Sequence, residues 1–365
     1  MRILFAPVNP PADARYLSSL QAFRGLAALV VVFDHLHFHS ALRQGPGLVP
    51  DWCRFGHLGV DFFFVLSGFI IQRVHGADAG RPERAADYAW RRFVRVWPLL
   101  AVLTTLKLAY MALHGAGVRD EKYSLLTIVT SYLCLPMPGW PATGWPVLDV
   151  AWTLRHEALF YALFLVPILC GARAWRWLIT AWVALIALVL ATGWSVPFPL
   201  DFIAQPLNLE FLLGVATALA VERMPARRGR ALIGLLIGVA LALLGLWLYA
   251  QAATEREKST RLVLALGLAV VIHACVGLER EGRMHVPRAF AALGDASYSL
   301  YLWHGVVIGG VLALWPELPD PLRAYPRGFL LATLAASVTS SLLVYRWLEQ
   351  PLTRLARGLR RPSDR

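Results

Sequence analysis

The chain is poor in charge. Of its 365 residues only 16% are Asp, Glu, Lys or Arg, while 58% are hydrophobic, and the mean hydropathy is +0.55. Soluble domains average about 25% charged and about 45–50% apolar, so this composition excludes a water-facing globule and points to a chain that crosses a bilayer repeatedly. Cysteine is scarce too. The four present, Cys53, Cys134, Cys170 and Cys275, have no metal-type spacing. Acidic residues are outnumbered by basic ones, 23 to 35, for a formal charge of +12 and a pI near 10.0. The bases cluster between apolar blocks, as positive-inside loops do, and this argues against nucleic acid as a partner. A cleavable signal peptide is not expected: "MRILFAPVNPPADAR" has a short apolar part broken at Pro7, Pro10 and Pro11. Residues 1–16 read as a flexible cytoplasmic arm.

Apolar runs of roughly membrane-spanning length fall near residues 20–39, 57–75, 97–114, 152–170, 175–193, 200–222, 231–250, 260–277, 295–315 and 326–346. A shorter run, "SLLTIVTSYLCLP" from Ser124 to Pro136, is ambiguous. Charge decides its status. The tail and the loops 223–230 and 73–95 are the most basic, which places all three in the cytoplasm. Counting crossings from either terminus then leaves both ends of 124–136 outside. The expected fold is all-α: a polytopic transmembrane bundle of about ten spanning helices plus one interfacial or re-entrant segment. Its domain runs over 17–352, followed by a basic cytoplasmic tail over 353–365. With Cys53 and Cys134 on the outer side, a disulfide between them is open.

The informative residues are the polar ones inside apolar blocks. In "FRGLAALVVVFDH", Arg24 and His35 are eleven positions apart, three turns plus about 20°, so they share one helical stripe about 16 Å long. Ala28 and Val31 lie between them. The stripe is either a narrow polar-ended groove or a small-residue packing face with Arg24 snorkelling to the interface. Snorkelling leaves Asp34 and His35 unexplained. Histidine is the side chain suited to proton transfer near neutral pH, and Asp34, about 100° away, supplies an electrostatic influence. His39 lies one turn beyond His35, but two histidines without a third ligand are weak evidence for metal, and none is expected.

In "GHLGVDFFFVLSGFIIQR", Ser67 and Gly68 fall in mid-span, and Gly68 permits close helix approach. "WRRFVRVWPLL" puts Arg91, Arg92 and Arg95 before the third span, either as membrane anchors or as a phosphate site. "LDVAWTLRHEALFYALF" places Glu157 in an apolar run with Tyr161 one turn on. Tyr161 is expected there as an interfacial belt residue, so only Glu157 needs a special account. "LGDASYSLYLWHG" puts Ser297, Tyr298, Tyr301 and His304 in another apolar run, and helix packing with satisfied polar groups is the competing account of these four.

Together these stretches resemble the acyltransferase 3 family of integral membrane proteins, which includes bacterial O-antigen and exopolysaccharide O-acetylases. "FRGLAALVVVFDH", "FFFVLSGF", "RRFVRVWP", "WTLRHEALFY", "GDASYSLYLWH" and "YRWLEQPL" occur in the family's order from about residue 17 to 352. The resemblance implies a membrane O-acyltransferase in a bacterial cytoplasmic membrane, both termini cytoplasmic. It would carry an acyl group, expected to be acetyl, from cytoplasmic acyl-CoA to a saccharide or glycolipid hydroxyl. No resident cofactor is implied. His35 matches the family's catalytic histidine and Arg24 its paired arginine. Arg92 and Arg95 match its arginine pair, and Ser67 and Gly68 its aromatic Ser-Gly motif. Glu157 and Tyr161 match a Trp-Ser-Leu type motif in which Thr153 replaces serine. Gln21 stands where many members carry an acid.

Joined to the helix geometry, the expectation is that Arg92 and Arg95, helped by Arg24 or Arg91, hold the CoA phosphates. The pantetheine arm follows the stripe to His35, the general base, beside Asp34; a covalent acyl-histidine stays open. Ser67, Glu157, Tyr161, Tyr298 and His304 are candidates for acceptor binding or oxyanion stabilisation. The competing function is a transporter or flippase for lipid-linked saccharides, which inverted-repeat symmetry would favour; none is detectable.

Overall fold

The computed structural model describes residues 17–114, 124–139, 144–224, 228–252 and 257–359. The N-terminal arm expected over 1–16 and the end of the tail at 360–365 lie outside them. In chain order the helices are α1 (Ser18–Gln44), α2 (Gly59–His75), α3 (Ala85–His114), α4 (Leu125–Leu133), α5 (Trp152–Leu163) and α6 (Leu165–Thr192). There follow α7 (Leu200–Ile203), α8 (Leu209–Arg223), α9 (Arg228–Gln251), α10 (Arg261–Arg280) and α11 (Arg288–Asp295). The last four are α12 (Ser297–Ala313), α13 (Asp320–Arg323), α14 (Pro326–Val344) and α15 (Gln350–Gly358). No strand occurs among the described residues, so the fold is an all-α polytopic bundle.

Eight helices among the described residues are long and apolar enough to cross a membrane. Two of the ten expected runs take another form. The run 200–222 divides into the one-turn α7 and the 15-residue α8. At 1.5 Å per residue α8 is about 22 Å long, short of the roughly 30 Å hydrocarbon core. The run 152–170 becomes the 12-residue α5 followed by the start of α6. Gly171 then leaves helical geometry with φ +83°, a conformation cheap only for glycine, and divides α6 between the two runs read from the sequence. The ambiguous segment forms the nine-residue α4, too short to span. The tail begins as α15, helical to Gly358, rather than as an irregular extension.

Helices approach through small residues. A methyl group added at Gly68 would overlap the Phe211 carbonyl, and one at Gly214 would overlap that of Val65, so α2 and α8 are in backbone contact. Gly25 of α1 meets Gly294 of α11 in the same way, and Gly245 of α9 meets Leu264 of α10. The faces left over are apolar: Leu236 on α9 is 72% exposed, as a lipid-facing side chain is.

Two polar ties fix the bundle. Ser18 and Ser19 open α1 without a side-chain cap of their own, and Glu279 at the end of α10 supplies one. Its carboxylate accepts from the Ser18 amide at 2.6 Å, the Ser19 amide at 3.1 Å, and both hydroxyls. It thereby satisfies orphan donors and complements the helix dipole. At the opposite end of α10, Arg261 binds Asp61 of α2 bidentately, at 2.7 and 2.6 Å, with the Glu210 carboxylate of α8 at 3.6 Å. Asp61 and Glu210 are fully buried. The cysteines are unpaired: Cys53 packs among α1, α12 and α14 residues, and Cys134 lies in a separate apolar cluster with Leu148 and Leu154. The Cys53–Cys134 disulfide left open by the sequence is absent for that reason.

Candidate active site

A cavity lies between α2, α3, α5 and α12, and α1 contributes Arg24 alone. Arg92 and Arg95 line it from α3, Ser67 from α2, Glu157 and Tyr161 from α5, and Tyr298 from α12. Residues expected from stretches as far apart as 24 and 298 therefore share one chamber. Its wall on α2 runs from Val60 to Ile71, eleven positions apart or about 16 Å of helix.

The three arginines gather at one region because of helix phase. Arg92 and Arg95, three residues apart, fall on one face of α3. Arg91, one residue earlier, turns away. It pairs with Asp87 at 2.7 Å, its side chain is 59% exposed, and it is not among the lining residues. The expected role of Arg91 at the phosphates is therefore not supported by its position.

Each lining arginine is held. Arg24 donates to Gln21 at 3.0 Å, so the residue standing in the place of an acid keeps the hydrogen bond without the charge. Arg95 donates to Glu349 at 2.9 Å and lies 4.8 Å over the Tyr298 ring. Arg92 donates to His75 Nε2 at 3.1 Å, which fixes the other ring nitrogen as the donor to Asp78 at 2.8 Å. The Arg92 guanidinium also lies over the Tyr88 and Tyr161 rings, at 5.8 and 5.6 Å.

Further along the chamber, Ser67 donates to Glu157 Oε1 at 3.0 Å, and the Tyr161 hydroxyl donates to the same oxygen. Both hydroxyls lie on one side of the carboxylate, so its second oxygen is the one left for the chamber. Tyr298 closes a wall by donating to the Val96 carbonyl at 2.7 Å. Tyr301, whose hydroxyl lies 2.9 Å from Thr153 and 3.0 Å from the Val150 carbonyl, closes another.

His35, Asp34 and His304 do not line this chamber. They sit past Tyr301, whose ring centroid is 6.2 Å from that of His304. His304 is fully buried; its Nδ1 donates to the Leu300 carbonyl at 2.8 Å and its Nε2 has no partner. The His35 ring meets it edge-on, centroids 4.7 Å apart, and donates from Nδ1 to the Val31 carbonyl at 3.0 Å. A carbonyl only accepts, so His35 carries its proton on Nδ1 and presents a lone pair at Nε2, the form a general base needs. Asp34 lies 3.9 Å from His35 Nδ1 and 3.4 Å from Nδ1 of His57. It is thus shared between two imidazoles rather than bound to one. His39 stacks on His35 at 6.4 Å.

The stripe itself is closed. Ala28 and Val31 are essentially inaccessible, covered by the segment around Gly59 and by α12. The open volume runs beside α1, not along it, and reaches the level of Val31 through Val60, which packs in the same cluster. The expected groove along the stripe is thus displaced onto the α2 wall.

Sequence reasoning gave no role to Glu349, His75 or His57. The signal for Glu349 was a carboxylate in the apolar run "YRWLEQPL". It falls in a π-helical turn, Tyr345–Glu349, and also accepts from Ser299 at 2.6 Å. His57 bonds Tyr249 of α9 at 3.0 Å, a pairing with no local signature. Among the described residues no three His, Cys, Asp or Glu side chains converge as metal ligands.

A family model described as an acyltransferase domain matches residues 17–346. The exopolysaccharide production protein ExoZ of Rhizobium meliloti (strain 1021) is 32% identical over 342 residues, covering 88% of this chain and 96% of that protein. The putative peptidoglycan O-acetyltransferase YrhL of Bacillus subtilis (strain 168) is 26% identical, with coverage of 80% and 49%. The O-acetyltransferase OatA of Staphylococcus aureus (strain NCTC 8325 / PS 47) is 22% identical, with coverage of 93% and 57%. The chain spans about half the length of these last two. No solved structure matches it.

Proposed function

The chain belongs to the acyltransferase 3 family and is a membrane acyltransferase of groups other than aminoacyl, and from that premise we propose that it esterifies a saccharide or glycolipid hydroxyl with an acyl group drawn from cytoplasmic acyl-CoA. The acyl group is acetyl, in keeping with the names of YrhL and OatA. The membrane is the cytoplasmic one, with both chain termini inside.

One observation carries the reading: Arg24, Arg92 and Arg95 converge on a chamber whose α2 wall extends about 16 Å toward the turn that precedes His35. Guanidinium groups suit the phosphates of CoA, and an extended pantetheine arm suits a channel of that length. The thioester then lies at the Val60 end, near His35. His35 Nε2 takes the proton of the acceptor hydroxyl as its oxygen attacks the acyl carbon. Collapse of the tetrahedral intermediate breaks the carbon–sulfur bond, and the imidazolium returns its proton to the departing thiolate. The products are the ester and free CoA thiol, with His35 restored. Asp34 favours the transient imidazolium, and the His35 Nδ1 bond to Val31 holds the tautomer. Glu157, steadied by Ser67 and Tyr161, offers its second oxygen to an acceptor hydroxyl.

The test is acyl transfer in sealed vesicles loaded with labelled acetyl-CoA on the face that corresponds to the cytoplasm. Label should move to saccharide hydroxyls, be lost in His35→Ala, and need more acetyl-CoA in Arg92→Ala. Undiminished transfer by His35→Ala would overturn the assignment of the base.

A further inference from the structure

A second cavity lies behind the first, between α3, α5 and the segments around Cys134 and Pro199. Phe93, Leu133 and Leu135 are among its walls, and all three are large, apolar and exposed. In a bundle set in a bilayer such a rim opens to hydrocarbon rather than to water. Among the described residues no acidic side chain lines this cavity.

One side chain does not fit an apolar compartment. Arg155 lines it and is 2% exposed. Its Nη1 donates to the Gly144 carbonyl at 2.5 Å, but Nε and Nη2, both buried, have no acceptor. Those two nitrogens form the side-on edge of the guanidinium, whose parallel N–H bonds match two oxygens of a phosphate or carboxylate. A buried cation with that edge empty lacks its counter-charge, and among the described residues no side chain is paired with it.

The length of the cavity says what kind of molecule brings the charge. From Arg155 on α5 to Leu165 at the start of α6 it extends over ten positions, about 15 Å at helical rise, which is about half the hydrocarbon thickness of a bilayer, the depth of one leaflet. We propose that this cavity is a lipid site: one anionic phospholipid places its phosphate on the Nε–Nη2 edge of Arg155 and lays an acyl chain along α5 toward Tyr161. Arg92 and Tyr161 line both cavities, so the chain braces the wall that separates the bilayer from the chamber. The assignment does not depend on the acyl-transfer reading, because its readout is lipid capture.

The experiment uses the full chain in nanodiscs of phosphatidylcholine and phosphatidylglycerol. Either lipid carries a photoactivatable group in its acyl chain, and labelled peptides are mapped by mass spectrometry. Phosphatidylglycerol should label the α5 and α3 walls in preference to phosphatidylcholine. Arg155→Leu should lower that capture roughly tenfold, the loss of one bidentate charged contact. Ala162→Phe, which fills the mouth from an exposed position, should lower capture of both lipids, and it decides the matter if Arg155→Leu does not fold. Labelling indifferent to the headgroup, labelling outside these walls, or capture undiminished in Ala162→Phe would each overturn the site.

Discussion

His304 stands edge-on to His35 with ring centroids 4.7 Å apart, and the inner ring is fully buried with an unpartnered Nε2. The two come from "FDH" and "YLWH", 269 positions apart by subtraction of their numbers. The contact fixes the orientation of the His35 ring, the base of the proposed reading. His35→Ala should lower kcat for acyl transfer by about 10²- to 10⁴-fold, the range removed with a general base. His304→Ala should lower kcat by about 10- to 100-fold through misplacement of the His35 ring, with KM for acyl-CoA unchanged. Steady-state kinetics in vesicles separates the two parameters.

Arg92 is aimed by a chain of contacts that starts at Asp78 and passes through His75. Arg92→Ala should raise KM for acyl-CoA by about 10- to 100-fold, the equivalent of a lost charged hydrogen bond. His75→Phe should raise it less, with kcat near normal, because it loosens the guanidinium without removing it. Donor titrations with both variants distinguish aiming from binding.

Glu157 receives two hydroxyls on one oxygen. If its other oxygen binds the acceptor, Glu157→Gln should raise KM for the acceptor while leaving that for acyl-CoA in place. A donor-side effect of equal size in the same assay would reassign the residue.

Asp61 and Arg261 form a bidentate pair inside the bundle, with Glu210 alongside. Asp61→Ala removes the best-placed partner of a buried guanidinium, a change that costs about 3–5 kcal/mol in comparable pairs. Thermal unfolding in detergent should show a clear drop, and pairing with Glu210 should keep the loss below total collapse.

Gly68 touches the backbone of α8. Gly68→Val forces the α2–α8 crossing apart and should destabilise by at least about 2 kcal/mol, in the range of overpacked cores. Activity should fall with it, because Ser67 is the neighbouring residue on the chamber wall.

Hydropathy and charge made most of the architecture readable, because lipid contact demands long apolar runs and loops carry the bases. Where the reading failed, the run was interrupted by backbone geometry that hydropathy does not see. Gln205 to Asn208 break the run before α8, and Gly171 turns α6. The chamber residues were legible for a different reason: Arg24, Arg92, Glu157 and Ser67 are polar side chains in apolar blocks, where each is conspicuous. Partners were not legible. Nothing near Arg95 announces Glu349, and nothing near Asp61 announces Arg261, since those meetings depend on how distant helices cross. Arg91 lies off the chamber that Arg92 and Arg95 line; three arginines in a row of five residues look alike until helix phase separates them. The stripe from Arg24 to His35 was read either as a groove or as a packing face, and the burial of Ala28 and Val31 makes it a packing face, a distinction that only neighbouring helices decide.

α1 is clamped near both ends. Glu279 and Gly294 hold its beginning, and Gly56 presses on Val30 and Asp34 near its other end. A helix so held works as a gauge block: the separation between Arg24 and His35 cannot stretch or shorten with the load. On the proposed reading, that fixed span is matched to the part of the donor that every CoA thioester has in common. The enzyme would then check for the carrier and not for its cargo, and discrimination among acyl groups would fall to the few side chains around Val60 and Tyr301. Exchanging those should change which acyl group is accepted while leaving the affinity for CoA itself where it was.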